Sequence, residues 1–240
     1  MGPGDGVMSS CSRLPSHDGL QPAPPVTGDD ATLAAALARD LNAGFESLAR
    51  AWQDRLFAFA LRMTGSPGDA EELAQETLVR AWRALAGYTP ERRRALRIRP
   101  WLFQIAVNLT RNHARSVGRA GTTSLDAREE SVERRAPGAA DPLAARIPDN
   151  DPEGAPEESL ERRQRLETLA ALLLALPEPH RLALTLRHIE GMSYGAISEA
   201  TGMPVGTVKS HASRGVAELR RAFEREQARE AYREETELSR

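Results

Sequence analysis

Met192-Ser-Tyr-Gly-Ala-Ile-Ser-Glu-Ala-Thr-Gly-Met-Pro-Val-Gly-Thr-Val-Lys-Ser-His-Ala-Ser-Arg-Gly-Val-Ala-Glu-Leu-Arg220 is the stretch that decides the architecture. Ser193 suits the N-cap of a helix over Tyr194–Thr201, because its hydroxyl can accept from an otherwise unpaired amide of the first turn. Gly202 supplies the left-handed residue that ends such a helix, and Pro204 opens the next one, which runs to about Phe223. Two short helices meeting at a Gly-containing turn form a helix-turn-helix. In the second helix Val208, Ala212, Val216 and Leu219 share one face, whereas Lys209, Ser210, Ser213 and Arg214 face away. A polar, basic face of this kind suits the major groove, where Lys and Arg bind guanine edges or phosphates and Ser serves either. The bland alternative is a helical hairpin with a solvated basic face.

Working outward, Leu160–Leu176 is a strongly apolar helix stopped at Pro177-Glu178-Pro179, and His180–Ile189 forms a further helix before Gly191. Before these, residues 117–159 carry many acids, prolines and glycines and almost no apolar side chains, which predicts an acidic flexible linker unable to bury a core. As a coil of about 40 residues it would span roughly 35 Å on average, leaving two domains free to sit on separate surfaces. Residues 32–116 form the other domain. Its apolar period runs through Leu33, Leu37, Leu41, Phe45 and Leu48 to Met63, predicting one amphipathic helix broken at Gly65-Ser66-Pro67-Gly68. A second helix opens at Asp69 and closes at Gly87, and a third begins at Pro100 with Trp101, Leu102, Ile105, Ala106 and Leu109 on its apolar stripe. Residues 1–31 read as a disordered leader and 224–240 as a charged tail. The expected class is all-α, with two small helical domains joined by a flexible linker.

A chain of 240 residues has room for two such domains, at roughly 150 or fewer residues each. Its low aromatic content, 5%, and its wealth of Ala, Leu and Arg favour helices. The net charge of −2 conceals a segregation. Between Glu91 and Arg119 eight arginines face Glu91 alone, between Asp126 and Glu161 eleven acids face four arginines, and from Met203 to Arg225 the balance is basic again. The single cysteine, Cys11, excludes a disulfide framework and a Cys-based zinc site, and points to a reducing cytoplasm. No apolar run approaches the ~20 residues that span a bilayer, so membrane insertion is not expected. There is no phosphate loop, no GxSxG elbow and no HExxH, and the five histidines lack ligand spacing, so neither catalysis, cofactor nor metal is expected.

The last region, through Leu176-Pro-Glu-Pro-His-Arg, Glu190-Gly-Met-Ser-Tyr and Val205-Gly-Thr-Val-Lys-Ser, resembles the final conserved region of extracytoplasmic-function (ECF) sigma factors of RNA polymerase. A similar final helix occurs in LuxR-like regulators, which bind duplex DNA without core polymerase. What separates the two is the first domain. Gly68-Asp-Ala-Glu-Glu-Leu-Ala-Gln-Glu-Thr-Leu-Val-Arg-Ala-Trp82 and Pro100-Trp-Leu-Phe-Gln-Ile-Ala-Val-Asn108 resemble sigma region 2.

The resemblance implies a promoter-directing initiation factor whose partners are core RNA polymerase, promoter DNA and, as is common in the family, an anti-sigma factor. Asp69, Glu71, Glu72, Gln75 and Glu76 would dock on the polymerase. Tyr88 and Asn108 fall where the family captures an unstacked base of the minus-ten element, with Trp101, Arg111, Asn112 and Arg115 completing that surface. An aromatic ring stacks on a flipped base, and an Asn amide donates and accepts at its edge. Thr207, Lys209, Ser210, His211, Ser213 and Arg214 would read the minus-thirty-five element. Departures accompany the match. The loop before Pro100 is long and basic, Gly195 and Ala196 stand where acids are common, Ser198 where Ala is common, and His211 where Arg is common.

Overall fold

The computed structural model describes residues 30–123 and 156–238, and Cys11, all but the last two residues of the leader and most of the acidic linker lie outside the described residues. Every element among them is helical. The first lobe comprises α1 (Asp30–Arg39), α2 (Leu41–Thr64), α3 (Pro67–Ala86), the short α4 (Pro90–Arg94) and α5 (Ile98–Thr123). The second comprises α6 (Pro156–Ala175), α7 (Glu178–Leu184), a π-helical turn over Thr185–Ile189, α8 (Tyr194–Thr201) and α9 (Val205–Leu238).

The single helix expected from Leu33 to Met63 is two. Asp40 is extended, and its carboxylate accepts from the amides of Asn42 and Ala43, so it caps α2 and ends the run. Apolar spacing continues through the break because both helices bury the same side of the sequence. The bend brings α1 so close to α2 that a Cβ on Gly44 would lie 2.6 Å from the Leu37 amide nitrogen, so only glycine fits. Within the expected loop between Tyr88 and Pro100, Thr89 caps the five-residue helix α4. Pro100 does lie in the first turn of α5, although the helix starts two residues earlier, at Ile98. Toward the C-terminus α9 runs on to Leu238, through the segment read as a charged tail.

Trp52, Phe59 and Phe103 form the centre of the first lobe, with Phe103 edge-on to both others at 5.9 and 5.2 Å. Edge-to-face rings gain quadrupole attraction beyond the area they bury. In the second lobe Leu173, Leu176 and Leu184 pack with Ile189, Val216 and Leu219. The two lobes do not remain apart. Leu182, Leu186, Met192, Ala196, Ile197, Ala200 and Val208 belong to the same continuous apolar cluster as the first lobe's core, α8 lying against α5.

Candidate nucleic-acid and partner interfaces

On α3 the chemistry follows from helical spacing. Ala70, Leu73, Ala74 and Thr77 are buried, which turns Glu71, Glu72 and Gln75 outward and leaves Glu76 half-exposed. Ser66 caps the helix through the Asp69 amide. Four of the five residues are engaged along their own surface or with α5. Gln75 donates to Glu71, Arg80 pairs with Glu76 at 2.6 Å, and the Asp69 carboxylate lies 3.4 Å from His113 Nε2. The result is an exposed acidic ridge that ends at Val79, itself 40% exposed.

The second group spans the turn after α3 and the outer face of α5. Tyr88 packs against Trp101 with ring centroids 6.3 Å apart, and the Arg92 guanidinium lies over the tyrosine ring at 3.9 Å. Asn108, Asn112 and Arg115 are exposed on α5, whose opposite side buries Leu102, Phe103, Ala106 and Val107. Arg111 is different. Its guanidinium donates to the Thr201 carbonyl of α8 at 2.9 Å and lies 3.8 Å from Glu178.

The third group is the helix-turn-helix. Ser193 Oγ accepts from the Ala196 amide, and Gly202 closes α8 at φ 71°, a conformation that disfavours any side chain. The serine at position 198 has a use here: its hydroxyl donates to the Met203 carbonyl at 2.6 Å and fastens the turn. Val208 and Ala212 are fully buried, so Thr207, Lys209, Ser213 and Arg214 are exposed and Ser210 is partly so. His211 departs from that stripe. It is half-buried toward α7, its ring 5.2 Å from that of His180, which in turn is 2.9 Å from Glu218. Burial, reinforced by His180 and Arg214, holds the His211 pKa below its ordinary value, so the ring is neutral at pH 7.

Sequence reading missed a set of polar contacts between the lobes. Glu190, only 3% exposed, receives Arg55 at 3.0 Å and Arg62 at 3.6 Å, both from α2. Its own carbonyl accepts from Arg99. Burial pulls the Arg62 pKa below its ordinary value while Glu190 opposes that shift and Arg55 adds to it. Arg181 of α7 donates to the Met63 carbonyl at 3.0 Å, satisfying an orphan acceptor at the end of α2. Arg97 reaches Glu199 at 3.1 Å. The π-helical turn, closed by the Glu190 amide on the Thr185 carbonyl, is what sets Glu190 at this seam. No sequence signal pairs residues so far apart in the chain.

A helical protein with an exposed helix-turn-helix and a second helical lobe bearing an acidic ridge belongs among DNA-binding regulators of transcription, and comparison with known proteins narrows the class. Residues 48–120 match the family model for Sigma-70 region 2, and residues 166–219 match that for Sigma-70, region 4. The chain is 30% identical over 213 residues to the ECF RNA polymerase sigma factor SigE of Mycolicibacterium smegmatis, covering 89% of this chain and 74% of that protein. It is 27% identical over 185 residues to the ECF sigma factor SigW of Bacillus subtilis, covering 74% and 87%. Its fold is similar to CnrH in complex with the cytosolic domain of CnrY, with a TM-score of 0.52 at 23% identity, covering 81% of this chain and 97% of that one. It is also similar to RpoE in complex with the anti-sigma factor NepR from Bartonella quintana, with a TM-score of 0.54 at 22% identity, covering 75% and 96%.

The chain belongs to the ECF sigma factors of RNA polymerase. It is a DNA-binding regulator that associates with core polymerase and directs it to promoters, and the match to region 2 sets it apart from LuxR-like regulators. Among the described residues, no helix is long and apolar enough to cross a membrane.

Proposed function

We propose that residues 32–116 form the domain that docks on core polymerase and opens and reads the minus-ten element, that residues 160–223 form the minus-thirty-five reader, and that 117–159 connect them. The protein acts in the cytoplasm, performs no catalysis of its own and is held in check by an anti-sigma factor. The observation that carries this reading is the opposite electrostatics of two exposed helix faces, each backed by a buried apolar side. One is the acidic ridge of α3 and the other the Lys209, Ser213 and Arg214 face of α9. Acid on one lobe suits a basic protein surface, and base on the other suits phosphates and guanine edges.

In this reading Asp69, Glu71, Glu72, Gln75 and Glu76 meet the polymerase. Tyr88, Trp101, Asn108, Arg111, Asn112 and Arg115 handle the opened minus-ten strand. Thr207, Lys209, Ser210, Ser213 and Arg214 enter the major groove, with His211 supporting α9 from its half-buried side. Reversing the charge of Glu72 and Glu76 together should weaken core binding by about tenfold without unfolding the lobe, because exposed charges steer association more than they decide stability. Pull-down of core polymerase by the folded double variant measures this. Unchanged affinity would remove the docking assignment.

A further inference from the structure

The match to region 4 ends at Leu219, yet α9 continues without a break to Leu238. What the helix presents just past that point is set by how it is packed. Val208, Ala212 and Gly215 are buried, and Val216 and Leu219 pack with Leu173, Leu176 and Leu184. A Cβ on Gly215 would lie 2.9 Å from the His180 carbonyl oxygen, so α9 meets the backbone of α7 closely there and its rotation is fixed. Helical repetition then brings the positions of Ser213 and Arg214 round again two turns later, at Arg220 and Arg221, with Arg225 one turn beyond. All three arginines are exposed.

Their charge is left largely unanswered. Of the acids on the same length of helix, Glu218 lies 2.9 Å from His180 and Glu226 lies 3.5 Å from Arg229, which leaves Glu224. Arg221 and Arg225 donate through Nε to the Ala217 and Arg221 carbonyls of their own helix, at 3.2 and 3.1 Å. Among the described residues no carboxylate pairs with Arg220, Arg221 or Arg225. Ala217, exposed between Arg214 and Arg221, is small enough to let a partner approach the helix closely.

Distance selects the partner. At ~1.5 Å per residue Arg221 stands about 10 Å farther along the axis than Arg214, and Arg225 about 16 Å. The major groove is roughly 12 Å wide, so a helix with Arg214 over base edges carries Arg220 and Arg221 to the rim of the groove, where the phosphates are. Guanidinium groups suit phosphates by charge and by their paired N–H donors.

We propose that Arg220, Arg221 and Arg225 form a phosphate-binding row, by which α9 grips the backbone of the duplex bordering the minus-thirty-five element. The row adds affinity and fixes the register of the helix but reads no bases, because phosphates carry no sequence information. It rests on the assignment of Lys209, Ser213 and Arg214 to the major groove.

Holoenzyme reconstituted from the full-length chain, bound to duplexes with a matched or a scrambled minus-thirty-five site over a range of salt concentrations, tests the row. Arg220→Gln, Arg221→Gln and Arg225→Gln together should weaken both duplexes about tenfold at low salt and leave their ratio unchanged. The slope of log affinity against log salt should become shallower by roughly 2–3, at about 0.9 per phosphate contact. Lysine at the same three positions should keep most of that slope. A triple Gln variant with the wild-type slope, or one that loses only the matched site, overturns the proposal. So does a loss of core-polymerase binding, which would assign the row to a protein partner. If the triple variant melts early, Arg221→Gln alone serves, with an expected change in slope of about 1, and an unchanged slope overturns the proposal. Arg214→Ala in the same assay separates this proposal from the reading beneath it. Where Arg214→Ala weakens the matched duplex and the Gln variants change nothing, only the row fails; where Arg214→Ala also changes nothing, the groove-facing assignment fails with it.

Discussion

Tyr88 and Asn108 are assigned to a step that follows docking, so their substitution should separate strand opening from binding. Stacking on an aromatic ring contributes roughly 1–3 kcal/mol per base. Arg92 already covers one face of Tyr88 at 3.9 Å, which leaves the other face for a base or requires the guanidinium to move aside. Tyr88→Ala should therefore lower the open-complex equilibrium by about tenfold, toward the small end of that range. Asn108→Ala should act similarly, and both should bind core polymerase normally and be rescued by a pre-melted bubble. Permanganate reactivity of unpaired thymines checks this, and normal opening by folded variants would remove the capture assignment. Loss of thermal stability in Tyr88→Ala would instead assign the residue to packing against Trp101.

His211 yields a prediction of a different kind. Its pKa is lowered in the native state chiefly by burial, so between that value and the ordinary 6.5 the unfolded chain binds more protons. Stability is then greatest above pH 6.5 and is lost as pH falls through the native value. Denaturant melts at pH 7.5 and 5.5 should show wild type losing more stability on acidification than His211→Gln. Equal losses in the two proteins would mean that position 211 does not carry the proton linkage.

At the scale of elements, recognition by α9 depends on which side of the helix Val208 and Ala212 bury. Lys209→Ala and Arg214→Ala should each cost ~1–3 kcal/mol of minus-thirty-five discrimination where the contact is bidentate to a base. A phosphate contact would weaken matched and scrambled sites alike. Competition between such sites for holoenzyme distinguishes the two, and no effect at either residue would contradict the groove-facing orientation. This helix-turn-helix was legible because its signals are local: the Ser193 cap, left-handed Gly202 and the period of Val208 and Ala212 are all set within a few residues. The α1–α2 break was not, since Asp40 interrupts the backbone without interrupting the apolar period, and a period alone cannot tell one helix from two on the same core. The length of α9 was missed for a related reason. Beyond Phe223 the sequence is dominated by Glu, Arg and Ala, which favour helix as readily as they suggest a solvated tail.

At the scale of the whole molecule, composition and charge order pointed to two helical units, each carrying a basic run, with an acidic segment between them. The way those units meet was illegible. Arg55 and Glu190 are 135 residues apart, and nothing in either local sequence marks the other as its partner. Charge runs identify surfaces that attract phosphate or carboxylate without saying which is present, and in this structure carboxylates from the second lobe answer part of the basic run. Two arginines of that run, Arg97 and Arg111, meet Glu199 and Glu178 in this way.

Reconstituting the full-length protein with core RNA polymerase, transcribing sheared genomic DNA and sequencing the 5′ ends tests its promoter-directing role. A set of start sites absent with core alone is expected, preceded by two shared sequence blocks near minus ten and minus thirty-five. Substitution of Lys209 or Arg214 should relax the upstream block, whereas substitution of Asn108 should reduce use of the downstream one. Start sites indistinguishable from those of core polymerase alone would contradict it.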